Sequence, residues 1–477
     1  MMEAGVMTAT RPMAHARGRA ATAALAAAPL VLITVAGAVL RLWAFGKVGG
    51  NPFYDAAARS MSLSWHNFFF GAFEPSAQVS IDKAPADLWM QVAAVKLFGF
   101  SGVSTRLPEV TAGVLAIPLL YDLVRRLFGR TAGLAAAAAL AVLPTAILTA
   151  HSDTMDSVMM ALDVLAAWLV VVGAQRRSVW PVVAAGAVVG VAFNVKLFQA
   201  LIFLPALVLL MALALDLPTR RRLLALGGSL VAFVVVSLSW IVTASMTPLS
   251  SRPWPIGSTD GSIWSVVFGF NGLDRLKSTA TPAALKLDPP GALRFLHDSG
   301  HGYLTTVGTM LVAAAVLGAA ALVVALSGRP GFAQRRTLPV AGAVFFGVWL
   351  LLGTALLSHM QRFQPRYLEA VTPAIAAVVG IGVGTLAQAP RRHARAALAL
   401  AAAGVAVAGL LLAHPPAWAV VVALAGAVGC VAVVAGGRLP RGGAAPAACA
   451  LCAVLAVPAS AALTVARQHQ SDAGLPS

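Results

Sequence analysis

Charge is scarce in this sequence: Asp, Glu, Lys and Arg make up 11% of 477 residues while 59% are hydrophobic, and the mean hydropathy is +0.84. A water-soluble domain carries about twice that share of charge on its surface, so a soluble protein is excluded. Acids are scarcer still, 17 against 34 Lys and Arg, for a formal charge of +17. That excess does not point to nucleic acid, because the basic residues punctuate the ends of apolar runs. Cysteine is nearly missing. Cys430, Cys449 and Cys452 lie in apolar C-terminal runs, where they read as small buried hydrophobes without the polar context of a zinc or redox site. Alternation of apolar and polar residues is absent too, which excludes a transmembrane β-barrel.

What is there is a succession of apolar runs of about 20 residues, each long enough for a helix to cross a hydrocarbon core of roughly 30 Å. The pattern predicts an all-α polytopic membrane protein with about thirteen transmembrane helices, near 23–45, 106–124, 131–149, 155–174, 178–194, 197–216, 223–244, 304–327, 337–357, 366–388, 394–413, 415–436 and 444–466. Short cytoplasmic loops retain Lys and Arg. Arg11, Arg17 and Arg19 precede the first span, and the later clusters (Arg125/Arg126/Arg130, Arg176/Arg177, Arg220/Arg221/Arg222, Arg329/Arg335/Arg336, Arg391/Arg392/Arg395, Arg438/Arg441) each fall two spans after the last. The N-terminus is therefore expected in the cytoplasm of a bacterial-type plasma membrane. An Ala-rich first span also fits a cleaved signal peptide, whose removal leaves the later orientation unchanged. The expected organisation is a cytoplasmic tail at 1–22, a main transmembrane region with the long loops at 23–388, and further transmembrane helices and a short tail at 389–477.

Most of the acids follow the opposite rule, falling in outer loops or at outer helix ends. Two outer loops are long, 46–105 and 245–303, and both carry aromatic residues (Trp65, Phe68, Trp89; Trp254, Trp264, Phe268). Interfacial helices and the working site are expected there.

Three stretches carry candidate chemistry. Asp82-Lys83 in the first loop sets a carboxylate beside an ammonium, a pair able to orient a hydroxyl and bind a phosphate, though a surface ion pair reads equally well. His151-Ser152-Asp153-Thr154-Met155-Asp156 forms a turn between spans. Capping accounts for one acid, with Asp153 a possible N-cap, but two acids and a histidine exceed what capping requires. In Gln361-Arg362-Phe363-Gln364-Pro365-Arg366-Tyr367, two arginines on the outer side run against the charge trend, and guanidinium groups match phosphate oxygens. His297, Asp298 and His301 have a spacing able to hold a metal but read as an ordinary loop, so no metal site and no cofactor is expected.

From about 51 to 384 the chain resembles the polyprenyl-phosphate-dependent glycosyltransferases of the GT-C superfamily, which includes protein O-mannosyltransferases and lipid A aminoarabinose transferases, and within it a bacterial branch of mannosyltransferases. The segments that carry the resemblance include NPFYDAAARSMSLSWHNFFFGAFEPS, IDKAPADLWMQ, FGFSGVSTRLPEVTAGVLAIPLLYDLVRRLFG, NVKLFQA, GSTDGSIWSVVFGFNGLDRL and QPRYLEAVTPAIAAVVGIG. The resemblance implies a GT-C bundle that transfers a sugar from a polyprenyl-phosphate donor, with inversion, to an envelope glycan, lipid or protein on the outer face. It implies Asp82 and Asp156 near the reacting groups and Lys83, Arg366 and Tyr367 at the donor phosphate; His151, Asp153 and Asn271 are further candidates for substrate contact. The chain departs from the family at Asn51, where an acid is usual, and at Ala84, where a second proline is common. Asp55, one position after Tyr54, competes with Asp82 as the general base, because the Lys83 ammonium makes its carboxylate neighbour a weaker base. A polytopic transporter or flippase of envelope precursors is the alternative from another class; Asp163 is the clearest acid within a span, but no paired interrupted helices accompany it.

Overall fold

The computed structural model describes residues 11–274, 290–297, 303–328, 338–361, 363–436 and 443–471. Among them, ten helices are long and apolar enough to cross a bilayer, from Leu25–Lys47 to Ala444–Arg467. Those that frame the site are α5 (Gly102–Phe128), α8 (Asp156–Arg176), α9 (Trp180–Lys196) and α11 (Thr219–Met246), preceded by α1 (Arg11–Leu42). The chain is thus a multi-pass membrane protein of helical architecture. Each of the thirteen segments expected from sequence contains a helix, but the count of thirteen straight spans is corrected in three places. Segment 131–149 is broken into α6 (Arg130–Val142) and α7 (Pro144–Ala150), bent by 58°. Segments 197–216 and 366–388 hold only the shorter apolar helices Leu204–Ala214 and Thr372–Gln388, because Leu197–Leu201 and Pro365–Ala370 are wound as 3-10 turns.

The break has a local cause. Pro144 has no N–H, so it cannot continue the ladder to the carbonyl of Leu140. Arg41, buried on α1, takes over: its Nη2 donates to Leu140 O at 3.1 Å and its Nη1 to Ala141 O at 3.1 Å. One guanidinium thus satisfies carbonyls that have no water available in a bilayer. Elsewhere small residues allow the backbones to touch. A Cβ on Gly380 would lie 2.5 Å from Ala136 N and one on Gly384 2.7 Å from Ala132 Cα, so the Thr372–Gln388 helix and α6 meet through spaced Gly and Ala, as membrane helices commonly do.

The long connections gather at one end of the bundle and the basic clusters Arg125/Arg126 and Arg176/Arg177 at the other. The first connection contains α2 (Pro52–Met61), α3 (Trp65–Phe70) and α4 (Ala86–Phe98). The second contains a π-helix, Ser265–Leu273. A two-residue strand from each, β1 (Val79–Ser80) and β2 (Trp254–Pro255), pair in parallel, the only sheet among the described residues. Trp240 Nε1 donates to Phe69 O at 2.8 Å, and a His66 ring nitrogen lies 3.1 Å from Ser251 O. The two loops are clasped into one layer over the helix ends.

Candidate active site

Between that layer and the helix ends lies a cavity of about 550 Å³. One part of its wall is polar, with Tyr54, Asp82, Lys83, Lys196, Gln364 and Arg366; the other is apolar, with Phe198, Ile202, Phe268, Leu273, Leu356 and Met360.

Each polar group is fixed by its own element. Asn51 caps α2, its Oδ1 accepting from Phe53 N at 3.0 Å, and Pro52 starts the helix with a φ already helical. Tyr54 then faces the cavity. Asp82 and Lys83 follow β1, and the Asn271 side-chain amide donates both to the Asp82 carbonyl and, at 3.1 Å, to Val266 O. The π-helix therefore holds the Asp82-Lys83 backbone in place. Lys83 Nζ donates to Tyr54 Oη at 2.6 Å and lies 3.3 Å from Asp82 Oδ1. Burial opposes its ammonium, but Asp82 and Tyr54 together outweigh burial and hold Lys83 above the ordinary lysine value. Burial likewise raises Tyr54, against the pull of Lys83, so its phenol keeps its proton.

Asp156 opens α8, fully buried, and organises the cations behind the cavity. Its Oδ2 is 2.6 Å from Lys196 Nζ and 3.9 Å from Arg366 Nε, and its Oδ1 accepts from Gln199 Nε2 at 3.0 Å. The α8 N-terminus also favours a carboxylate at this position. Deeper still, Glu109 of α5 accepts from Ser157 N at 3.0 Å and Val158 N at 3.2 Å, satisfying the first-turn donors of α8. Asp87 of α4 is hydrogen-bonded to Glu109 and to Gln91 Nε2 at 2.8 Å. Burial raises the Asp87 carboxyl, in keeping with two carboxyls that share a proton. Lys196 is presented where the chain leaves α9, and the next residue, Leu197, has a φ of +49°, a conformation unusual for a non-glycine residue. Arg366 lies 5.6 Å from the centroid of the Tyr367 ring.

The structure brings together Asp82, Lys83, Asn271, Arg366 and Tyr367 around the cavity, with Asp156 directly behind. It places the others elsewhere. Asp55, one residue past Tyr54, turns away and accepts from Thr105 Oγ1 at 2.9 Å. Asp153 does not cap α8, whose cap residue is Met155; it accepts instead from Asn51 N at 2.7 Å. Burial, with some help from Asp55, raises the Asp153 carboxyl to about 7 against the pull of that N–H. His151 is buried with Nδ1 3.0 Å from Gln470 O, and Asp163 is buried within α8; neither lines the cavity. Asp298, His301 and Arg362 lie outside the described residues, among which no group of three His, Cys, Asp or Glu could hold a metal. Sequence reading gave no role to Lys196, Gln199 or Tyr54. The available signal was a Lys and a Gln ending an apolar run on the side of the membrane where cations are otherwise rare.

Residues 82–240 match the family model of dolichyl-phosphate-mannose-protein mannosyltransferases. Two Bacillus subtilis proteins provisionally named as mannosyltransferases, YkcB and YycA, are 34% and 35% identical over 248 and 259 residues, which is 52% and 54% of this chain. The matched segments cover 35% and 38% of those two proteins, so the chain corresponds to well under half the length of the curated relatives it matches. Among solved structures, ArnT from Cupriavidus metallidurans bound to undecaprenyl phosphate superposes with a TM-score of 0.56 at 18% identity, covering 92% of this chain and 77% of that one. An Archaeoglobus fulgidus oligosaccharyltransferase tethered to an acceptor peptide gives 0.52 at 15% identity, covering 95% and 56%. The chain shares the fold of these two proteins, the GT-C fold.

Proposed function

We propose that the chain is a membrane glycosyltransferase that takes a sugar from a polyprenyl-phosphate donor, of the mannosyltransferase kind, and transfers it to an envelope glycan, lipid or protein on the outer face of the plasma membrane, with the N-terminus in the cytoplasm. One observation carries this reading. Lys83, Lys196 and Arg366 line one cavity, three cations against the single carboxylate of Asp82 among its described lining residues. Like charges gathered in one cavity repel, and a bound anion removes the penalty. Guanidinium and ammonium groups suit a phosphate, and the apolar wall suits the isoprenoid attached to it.

Asp82 is the one carboxylate among the described lining residues. An acceptor hydroxyl gives its proton to Asp82 as its oxygen forms a bond to the anomeric carbon, on the face opposite the phosphate. The bond from that carbon to the phosphate oxygen breaks, and its electron pair leaves on polyprenyl phosphate. The configuration inverts. The three cations stabilise the charge that accumulates on the departing phosphate, where fixed charge accelerates reaction most. No tightly bound metal is required for that role. Asp156 keeps Lys196 and Arg366 positioned, and residues 23–388 form the catalytic region.

The test is sugar transfer by the purified protein in detergent, varying donor and acceptor separately. Lys83→Ala and Arg366→Ala should each weaken donor use by about 10- to 100-fold, the worth of a charge-assisted contact, and acceptor use far less. Equal effects on both substrates would overturn the phosphate assignment.

A further inference from the structure

A phenol has one proton to donate and two lone pairs to accept with. Lys83 Nζ lies 2.6 Å from Tyr54 Oη, and an ammonium has only donors, so in that contact Tyr54 is the acceptor. The phenol proton must go elsewhere. Among the described residues no acceptor receives it, and Asp82 Oδ1, in an ion pair with Lys83 at 3.3 Å, accepts no hydrogen bond. The ring has little freedom to search further: it is 8% exposed, set edge-on against Phe53 with centroids 5.2 Å apart, and lies beneath the Lys83 ammonium, 4.9 Å from its centroid. Tyr54 nevertheless lines the cavity, within the electrostatic reach of Arg366 as well as Lys83. A buried O–H whose only hydrogen-bond partner among the described residues is itself a donor, in a cavity with three cations in its wall, is arranged for an anionic oxygen.

We propose that Tyr54 donates its hydroxyl proton to the phosphate oxygen that Lys83 also contacts, the two side chains forming one fork, given the phosphate reading of the cavity. Tyr54 is then a substrate-binding residue in its own right and not only a support for Lys83. Burial keeps the hydroxyl protonated, since it raises the phenol above its ordinary value. The contact adds no charge, so it serves the singly charged donor ester. It strengthens as the bond to the sugar breaks and the phosphate gains its second charge, because hydrogen bonds to more highly charged acceptors are stronger. Tyr54 should therefore favour the phosphate as it departs over the bound donor.

The test measures binding of farnesyl phosphate and of farnesol to the whole protein in detergent, for wild type, Tyr54→Phe, Lys83→Met and the double variant. Phenylalanine keeps the ring and its packing and deletes only the hydroxyl. The expected result is about a 10-fold loss of farnesyl phosphate affinity in Tyr54→Phe, unchanged farnesol affinity, and a further loss when Tyr54→Phe is added to Lys83→Met. Unaltered farnesyl phosphate binding in Tyr54→Phe would overturn the fork. So would an effect that vanishes in the Lys83→Met background, which would make Tyr54 a positioning residue alone. A wild-type protein that binds farnesol as tightly as farnesyl phosphate would overturn the phosphate reading and the fork with it, an outcome distinct from the other two.

Discussion

Tyr54 and Asp55 are adjacent in the chain and yet serve different surroundings, because one step along an α-helix turns the side chain by about 100°. Tyr54 enters the cavity; Asp55 bonds to Thr105. Asp82 is in the cavity wall, next to Lys83 and fixed through its carbonyl by Asn271. Of the two acids only Asp82 lines the cavity, which favours it as the base of the proposed reaction. Asp82→Asn should lower turnover at least ~100-fold, within the range of general-base contributions, with donor affinity near normal. Asp55→Asn should cost only a few-fold. Assays of both with one purified donor would check this, and a larger loss in Asp55→Asn would move the base to that residue. Part of this was legible beforehand. Asp82-Lys83 is visible as adjacent opposite charges, and Arg366 as a cation on the wrong side. Lys196 was not, because its partner Asp156 is 40 residues away in sequence and the residues around it read simply as the end of a span. Glu109 was legible as an acid near a helix end, but its task of holding the first turn of α8 depends on a contact that no local pattern records.

At the scale of elements, spans are legible because thickness fixes their length, while their interruptions depend on partners. Pro144 in segment 131–149 is a visible breaker, but a 58° bend inside a bilayer survives only if something satisfies the freed carbonyls. Arg41 does so from a different helix, a hundred residues earlier. Arg41→Met preserves length and apolar packing but strips two carbonyls of their donors. It should destabilise the protein by on the order of 3 kcal/mol, read as a lower melting temperature in detergent. A variant as stable as wild type would mean that α6 and α7 close the gap unaided. Segment 197–216 shows the same limit. Hydropathy reads it as one span, whereas the chain winds as a 3-10 turn through Leu197–Leu201 before Leu204 starts a new helix. That irregular stretch forms part of the cavity wall, so the misread boundary and the site coincide.

Over the whole molecule, the two ends of the bundle differ in kind. One end carries arginine clusters and short turns; the other carries the paired loops, the cavity and most of the acids. Retention of positive charge in the cytoplasm predicts which end faces out. In a background with Cys430, Cys449 and Cys452 replaced by Ala, a membrane-impermeant thiol reagent applied to intact cells should label Ser251→Cys, in the clasped loops, and leave Thr219→Cys, beside the arginines, unlabelled until the cells are permeabilised. The opposite pattern would invert the orientation and bring the cavity to the cytoplasm. An orientation can be predicted from sequence because charge bias is a one-dimensional signal. The cavity cannot, because it is assembled from five separate stretches of chain.

That scattering sets a timetable for a protein inserted from its N-terminus. Lys196 can find Asp156 soon after both emerge, since they are 40 residues apart, and the pair then shields two charges while the rest is made. Asn271 reaches Asp82 only after another stretch of synthesis, across a separation of 189 residues. Arg366 arrives last of all. Until it does, the nascent bundle holds a half-built pocket in which Asp156 already has Lys196 as a partner while the guanidinium is still missing.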